Sequence, residues 1–397
     1  MAKKILLVGN SYALTKKLSQ SVEKVYTTAF NPMMKEFCEY VDIRENNIPE
    51  LLDFVLENDI DLTIAISKTA LQADIAGIFQ SNGQVIFAPA AKAAEFVTDK
   101  SFAKKLMYKK HINTPRFGIF DRLPIAITHL ENVNYPIVIS DDNGEKVCCT
   151  TFERAKYIAE DMFFRGAKKI VTEEYVYGHK FTVYAITDGY HALPLATSAK
   201  FEFTEDGDGG LMTSGMGCFT PDYKIENEKT NEIFNNVILK IINNLASENS
   251  AYVGIIGVDA VCDGDNIRII EFKPFFENCE TQAILNTIDE NLVELFEACA
   301  NGSFADEYDE ILLNDNFSVS ALIKSRKEDV VISNLDEVDS AVDFIKTNRN
   351  KYFEYITQIG DNLVLTAYAK TLSRARKTLY EDIELIKFEG MKYRSDI

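Results

Sequence analysis

Residues 269–282, IIEFKPFFENCETQ, follow a second β-branched segment at 259–262, after a turn at 263–266 that contains Asp-Gly. Apolar runs of this length on either side of such a turn predict two antiparallel strands. Glu271 then lies late on the second strand, where a carboxylate can face a cleft and bind Mg²⁺. A solvent-exposed glutamate on a strand is the alternative interpretation of the same pattern.

Length and charge limit the classes of protein to consider. A chain of 397 residues has room for roughly two to four domains with sizeable cores. Its net charge of -19 argues against a nucleic-acid groove and a polybasic membrane anchor. No apolar run approaches the length of a membrane span. The seven cysteines include no CxxC pair, and the first apolar run, Ile5 to Val8, is too short for a signal peptide, so we expect a cytoplasmic protein with reduced thiols.

The first part of the chain alternates between short apolar runs and amphipathic segments. The apolar runs predict strands at 5–10, 25–28, 61–66 and 85–87. The amphipathic segments predict helices at 13–21, 48–58 and 71–82. Alternating elements of this length predict a parallel sheet with helices on both faces.

The remaining chain shows longer periodic segments. Apolar residues recur every four positions within 230–247, which predicts a helix that faces the core. Further helices are predicted at 101–110, with Thr98 or Asp99 as N-cap, at 281–299 and at 373–384. Strands are predicted at 317–323 and 363–369.

Four short motifs follow one another between residues 170 and 282. Residues 170–176 are IVTEEYV, 193–198 are LPLATS, 213–221 are TSGMGCFTP, and 271–282 are EFKPFFENCETQ. They resemble the glycinamide ribonucleotide synthetases, also called phosphoribosylamine–glycine ligases, of the ATP-grasp superfamily. The corresponding family segments read I-V-I-E-E-F-L, L-P-x-A-T-S, T-G-G-M-G-A-Y-S-P and E-F-N-x-R-F-G-D-P-E-T-Q. The resemblance extends over essentially the whole chain.

The resemblance implies an α/β fold, ATP and Mg²⁺ as cofactors, and a reaction that joins glycine to phosphoribosylamine through a glycyl phosphate. The implied domains are an N-terminal doubly wound parallel-sheet domain (1–98), an ATP-grasp core of two α+β subdomains (99–300, with a clamp at about 115–178), an acidic connection (301–316) and a small C-terminal α+β domain (317–397). The implied site residues are Glu173, Glu174, Tyr175, Val176 and Lys146 for ATP, Glu271 for the metal, and Gly215, Gly217 and Glu280 for the substrate.

The polar positions inside these motifs depart from the family pattern. Ser140 replaces a lysine that reaches the ATP phosphates, and Lys180 replaces a glutamate that binds the ribose. Lys180 is either solvent-exposed or has a new role. A Gly-rich loop is reduced to residues 141–146, DDNGEK, which also fits a plain Asn-Gly hairpin turn whose carboxylates repel a triphosphate. Lys146 is either a phosphate contact or a residue of that turn.

Lys273 stands where the family has a metal-binding asparagine. Residues two apart on a strand face the same side, so we predict that Lys273 neutralises Glu271 and leaves the site without Mg²⁺. The alternative is that Lys273 points into solvent.

Three functions stay open. The first is a divergent homologue from de novo purine biosynthesis that lacks the parental activity and binds a nucleotide, another small molecule or a protein partner. The second is an active ligase of this family with a rebuilt site. The third is a ligase retargeted to another acid and amine. No residue is assigned as catalytic.

Overall fold

The computed structural model describes residues 3–142 and 144–397. In this part of the chain the N-terminal strands form a five-stranded parallel sheet in the order β3-β2-β1-β4-β5. The strands are β1 (Lys4–Val8), β2 (Lys24–Thr27), β3 (Glu39–Tyr40), β4 (Leu62–Ala65) and β5 (Ile86–Phe87). The helices are α1 (Tyr12–Ser19), α2 (Ile48–Glu57), α3 (Lys68–Gln72), α4 (Ile75–Ser81) and α5 (Ala91–Thr98).

Both faces of this sheet are covered, as the alternation along β1 shows. Leu6 and Val8 pack into one hydrophobic cluster, whereas Ile5 and Leu7 pack into another on the opposite face. The predicted doubly wound domain is therefore confirmed.

The prediction of one helix over residues 71–82 is wrong. The chain turns at Asp74, whose φ of 58° lies in the left-handed region and ends α3 before α4 begins. The Asp74 carboxylate accepts a hydrogen bond of 2.8 Å from the backbone N–H of Ala91, which stabilises this break.

The clamp follows. It is preceded by α6 (Lys100–Lys109), and its elements are β6 (Phe117–Phe120), α7 (Leu123–Leu130), β7 (Ile137–Asp141), β8 (Lys146–Cys149), α8 (Phe152–Phe164) and β9 (Ile170–Glu174). Among the described residues, four antiparallel strands form its sheet in the order β6-β9-β7-β8. Asp99 is the N-cap of α6, because its side chain accepts from the N–H groups of Ser101 and Phe102. Ser140 pairs with Lys146 across the predicted hairpin, and Asn143 in its turn lies outside the described residues.

The core subdomain contains the longest strands. Its elements are β10 (His179–Asp188), β11 (Ala192–Glu205), β12 (Gly209–Thr220), α9 (Asn227–Ile233), α10 (Leu239–Ser247), β13 (Val253–Asp263), β14 (Asn266–Lys273), α11 (Glu280–Leu285), α12 (Leu292–Asn301) and α13 (Phe304–Glu307). The hairpin predicted around Glu271 is confirmed, since β13 and β14 pair antiparallel with Asp263 opposite Asn266.

Two helix predictions in the core have different outcomes. The helix predicted at 230–247 is confirmed: a π-helical turn, Phe234–Ile238, joins α9 to α10. A wider π turn accommodates an apolar repeat of four residues, which exceeds the 3.6 of an α-helix. The single helix predicted at 281–299 is wrong, because the chain leaves α11 after Leu285 and restarts at α12, where the Asn291 side chain caps the N-terminus.

The C-terminal region is α+β, as predicted. Its elements are β15 (Phe317–Ser325), β16 (Ala341–Phe344), β17 (Asn348–Arg349), β18 (Tyr355–Ile356), β19 (Gly360–Ala369), α14 (Leu372–Leu385) and β20 (Met391–Lys392). Because β15 pairs with β12, strands β15, β19 and β16 continue the core sheet, which runs β14-β13-β10-β11-β12-β15-β19-β16, with β20 also paired to β15. Strands β17 and β18 pair with each other in a separate sheet. Within the described ranges, no helix has both the length and the apolar character needed to cross a bilayer.

Candidate functional site

A cavity separates the end of β9 from one face of the core sheet. The residues predicted as the hinge, Glu173, Glu174, Tyr175 and Val176, line it together with Lys146. The structure thus brings together the residues predicted from sequence to bind ATP.

The hinge backbone is partly engaged. The N–H of Glu174 donates to Arg116 O at 2.9 Å, and that of Tyr175 donates to Pro136 O at 3.3 Å. These bonds hold the hinge against the clamp sheet. Val176 follows them and lies at the cavity wall.

One ionic network occupies the floor of the cavity. Among the described residues, six ammonium groups and six carboxylates are joined by contacts within 4 Å. The members are Lys100, Lys104, Lys146, Lys180, Lys200 and Lys273 with Glu173, Glu202, Asp259, Glu271, Glu277 and Glu280. The network is electroneutral, in contrast to the chain's net charge of -19.

Strand periodicity places most of these groups on one face of the core sheet. Lys200 and Glu202 are two residues apart on β11, and Glu271 and Lys273 are two apart on β14. Asp259 lies opposite Glu271 on β13. The alternation along each strand therefore gathers charges that lie far apart in sequence.

Helix α6 supplies two lysines from one turn. Lys100 and Lys104 each lie 2.5 Å from an oxygen of Glu173. Lys104 is fully buried and also donates to Thr114 Oγ1 at 2.7 Å. Burial lowers the pKa of Lys104 to about 8, against the opposing effect of Glu173. Glu173 is therefore the counter-ion of these two lysines as well as a hinge residue.

Glu271 is paired on three sides. Its nearest partner is Lys146, at 2.5 Å, with Lys100 at 3.6 Å and Lys273 at 3.7 Å. Burial would raise the pKa of Glu271, but these ammonium groups outweigh it and hold that pKa well below its usual range. The alternative of a solvent-exposed glutamate is wrong.

Lys273 lies inside the network with 3% of its surface exposed, so the alternative that it points into solvent is wrong. Its Nζ lies 2.9 Å from Asp259 and also contacts Glu277. Neutralisation of Glu271 is therefore shared, with Lys146 nearest to it and Lys273 nearer to Asp259.

Lys180 is not solvent-exposed either. Its ammonium lies 3.3 Å from Glu202 and 4.3 Å from the centre of the Phe203 ring. Of the two interpretations offered by the sequence, the structure supports a role in the network.

The predicted substrate residues lie deeper than the cavity wall. Glu280 is buried and accepts hydrogen bonds from Tyr184 Oη and Ser198 Oγ. Gly217 is buried against the last residue, since a Cβ there would lie 2.1 Å from Ile397 Cδ1. Gly215 has a φ of +151° and lies near the backbone of 278. Substrate binding by these three residues stays a prediction.

The network accommodates the two family cofactors differently. Four lysines line the cavity, Lys100, Lys146, Lys180 and Lys200; the ammonium groups of Lys100 and Lys146 suit phosphate oxygens, and the hinge offers a wall for a base. The side chains of Asp259, Glu271 and Glu277 already contact ammonium groups, and the described residues contain no group of three or more His, Cys, Asp or Glu side chains placed to hold a metal ion. The residues present fit a nucleotide and do not fit Mg²⁺.

Several members of the network were not predicted as site residues: Lys100, Lys104, Lys200, Glu202, Asp259 and Glu277. Two features of the sequence could have identified some of them. Lys104 interrupts the apolar face of α6 beside Ala103 and Met107, and Lys200 and Glu202 share one face of a strand.

Comparisons with known proteins agree with this architecture. The chain matches the N domain of phosphoribosylglycinamide synthetase over residues 3–96 and its ATP-grasp (A) domain over residues 98–281. It is 31% identical to a phosphoribosylamine–glycine ligase from Caldanaerobacter subterraneus, over 99% of each protein.

Two solved structures share the fold. A phosphoribosylamine–glycine ligase from Thermotoga maritima superimposes with a TM-score of 0.82 at 19% identity, covering 99% of this chain and 100% of that one. A biotin carboxylase domain from Hydrogenobacter thermophilus, solved with MgADP and bicarbonate, gives 0.72 at 14% identity, covering 99% and 92%.

Proposed function

We propose, from the premise that this chain belongs to the phosphoribosylglycinamide synthetase family, that it binds ATP beneath the hinge and uses it to join a carboxylate to an amine. ATP and Mg²⁺ are the cofactors that membership implies. The observation that carries the proposal is the cavity in which the hinge faces Lys100 and Lys146. The first reaction to test is formation of glycinamide ribonucleotide, the activity named by its relatives.

The chain's own residues supply binding and orientation. Tyr175 and Val176 form the wall on which a base lies, and the ammonium groups of Lys100 and Lys146 face the position of the phosphates. Bound ATP supplies the phosphoryl group that activates a carboxylate. The buried, charge-paired floor keeps the lysines oriented before ligand binds, which lowers the cost of reorganisation.

The test is turnover with ATP, glycine and phosphoribosylamine, with product identified by mass. Release of ADP that depends on both co-substrates is the expected result. Absence of ADP release with these and with a panel of other carboxylates and amines would contradict the proposal.

A second candidate is a nucleotide-responsive binding protein without the parental activity, acting in the same biosynthetic context. Phosphoryl transfer in this superfamily needs positive charge aimed at the transferring group. The lysines that contact Asp259, Glu271 and Glu277 favour the second candidate, because their charge is directed at the protein's own carboxylates. Nucleotide binding by calorimetry, together with a failure to rescue growth of a cell lacking the ligase, would favour this candidate over the first.

A further inference from the structure

Three carboxylates of the network, those of Asp259, Glu271 and Glu277, each contact at least two ammonium groups. Asp259 lies 2.8 Å from Lys200 and 2.9 Å from Lys273. Glu277 lies 3.2 Å from Lys200 and also contacts Lys273. Glu271 completes the group through Lys146 at 2.5 Å. Each carboxylate therefore already has the positive charge that a metal would otherwise provide.

The lysines have little freedom to leave. The side chains of Lys200 and Lys273 are each 4% exposed; Lys200 projects from β11 inside the core sheet and Lys273 from β14 at its edge. A buried ammonium that lost its carboxylates would be left unpaired in a low-dielectric environment, which is strongly unfavourable. A divalent cation bound here would place two more positive charges beside them.

We infer that Lys200 and Lys273 take the place of a divalent cation, so that the protein's carboxylates bind no Mg²⁺ and nucleotide binds without it. The inference deepens the proposed function and rests on it for the nucleotide. When phosphate oxygens draw Lys146 away from Glu271, Lys273 at 3.7 Å remains as a counter-ion of that carboxylate. The ligand class is a nucleoside di- or triphosphate free of metal.

Two measurements on the full chain test the inference separately. The first is Mn²⁺ binding to the nucleotide-free protein, followed by electron paramagnetic resonance. No bound Mn²⁺ at millimolar total metal is expected, and a bound ion would overturn the inference. The second is calorimetric titration with ADP in EDTA and again in excess Mg²⁺. Affinities within about threefold are expected, whereas a tenfold or larger gain with Mg²⁺ would overturn it.

The two proposals fail differently. ADP binding that requires Mg²⁺ would overturn the cation inference and leave the proposed nucleotide site standing. Absence of ADP binding in both conditions would contradict the proposed function, and the Mn²⁺ measurement would still decide the inference.

A variant pair adds a gain-of-function test. Lys273→Asn removes an ammonium from Asp259 and Glu277 and adds an oxygen donor, so Mn²⁺ binding should appear. Lys180→Asn is the matched control: it removes one charge from the same network but contacts Glu202, outside this group of three. Mn²⁺ binding by the control alone, or by neither folded variant, would contradict the assignment to Lys273. If Lys273→Asn does not fold, the wild-type measurements decide.

Discussion

Lys146 Nζ lies 2.5 Å from Glu271 Oε1, and this contact joins β8 of the clamp to β14 of the core sheet. The two residues are 125 positions apart in the sequence. Both side chains are mostly buried, so removing one partner leaves a buried charge unpaired and costs more than breaking a surface ion pair. Because Lys146 also lines the cavity, the phosphate oxygens of the proposed nucleotide would compete with Glu271 for its ammonium, which would couple ligand binding to the contact between clamp and core.

Lys146→Met should weaken ATP binding by about tenfold or more, since a hydrogen bond to a charged group contributes roughly 1.5–3 kcal/mol. Isothermal titration calorimetry measures the change. Lys156→Met, at an exposed position on the clamp helix α8, is the matched control and should bind as wild type does. Equal affinities for the two variants would exclude Lys146 from the nucleotide site.

Stability should fall in acid because of the network carboxylates. Burial would raise the pKa values of Glu271 and Glu277, but neighbouring lysines outweigh it and lower both in the folded state. Their stabilisation is present above the unfolded value of about 4.3 and is lost as the pH falls through the folded pKa. Urea unfolding between pH 7 and about 3 should show this loss. Glu277→Gln should flatten the acid limb and exposed Glu160→Gln should not; equal slopes would contradict the assignment.

The lowered pKa of Lys104 predicts a change in stability at alkaline pH. Burial lowers its folded pKa to about 8, below its ordinary value, so the unfolded chain binds more protons between these values. Wild-type stability should therefore rise relative to Lys104→Met as the pH increases from about 8 to 10.5, by roughly 3 kcal/mol. Chemical unfolding of both proteins across this range measures the difference. A constant difference would show that Lys104 stays charged throughout.

Gly217 is expected to be intolerant of a side chain. A Cβ there would lie 2.1 Å from Ile397 Cδ1 and 2.7 Å from Ser320 O, so Gly217→Ala should destabilise the fold by about 1–3 kcal/mol. Gly209→Ala, on the same strand, is the control because its nearest atom would be 3.5 Å away. Thermal unfolding compares the two. Equal melting temperatures would mean that Ile397 moves aside without cost.

Local pattern determined most of the secondary structure. Short apolar runs that alternate with amphipathic segments predicted the parallel N-terminal sheet, and apolar runs on either side of a turn predicted the β13–β14 hairpin, because these patterns are properties of neighbouring residues. Local pattern did not predict two interruptions of a helix. One is the turn at Asp74, and the other is the break between α11 and α12, after which Asn291 caps the N-terminus of α12. The motifs also identified the hinge and Lys146 as neighbours in the fold.

The sequence by itself therefore determined the fold class, and its predicted hinge residues and Lys146 line one cavity in the structure. Only the tertiary structure decided which charges meet. A lysine carries the same local pattern whether it points into solvent or into the core, and Lys273 and Lys180 were left open for that reason. Two partners of Lys200, Asp259 on β13 and Glu277 in the loop after β14, are 59 and 77 positions away, so the pairing depends on sheet register and on the path of that loop. Long-range Coulomb pairing in a buried site leaves no periodic trace in the sequence, because its partners are brought together only when the sheet and the clamp are assembled.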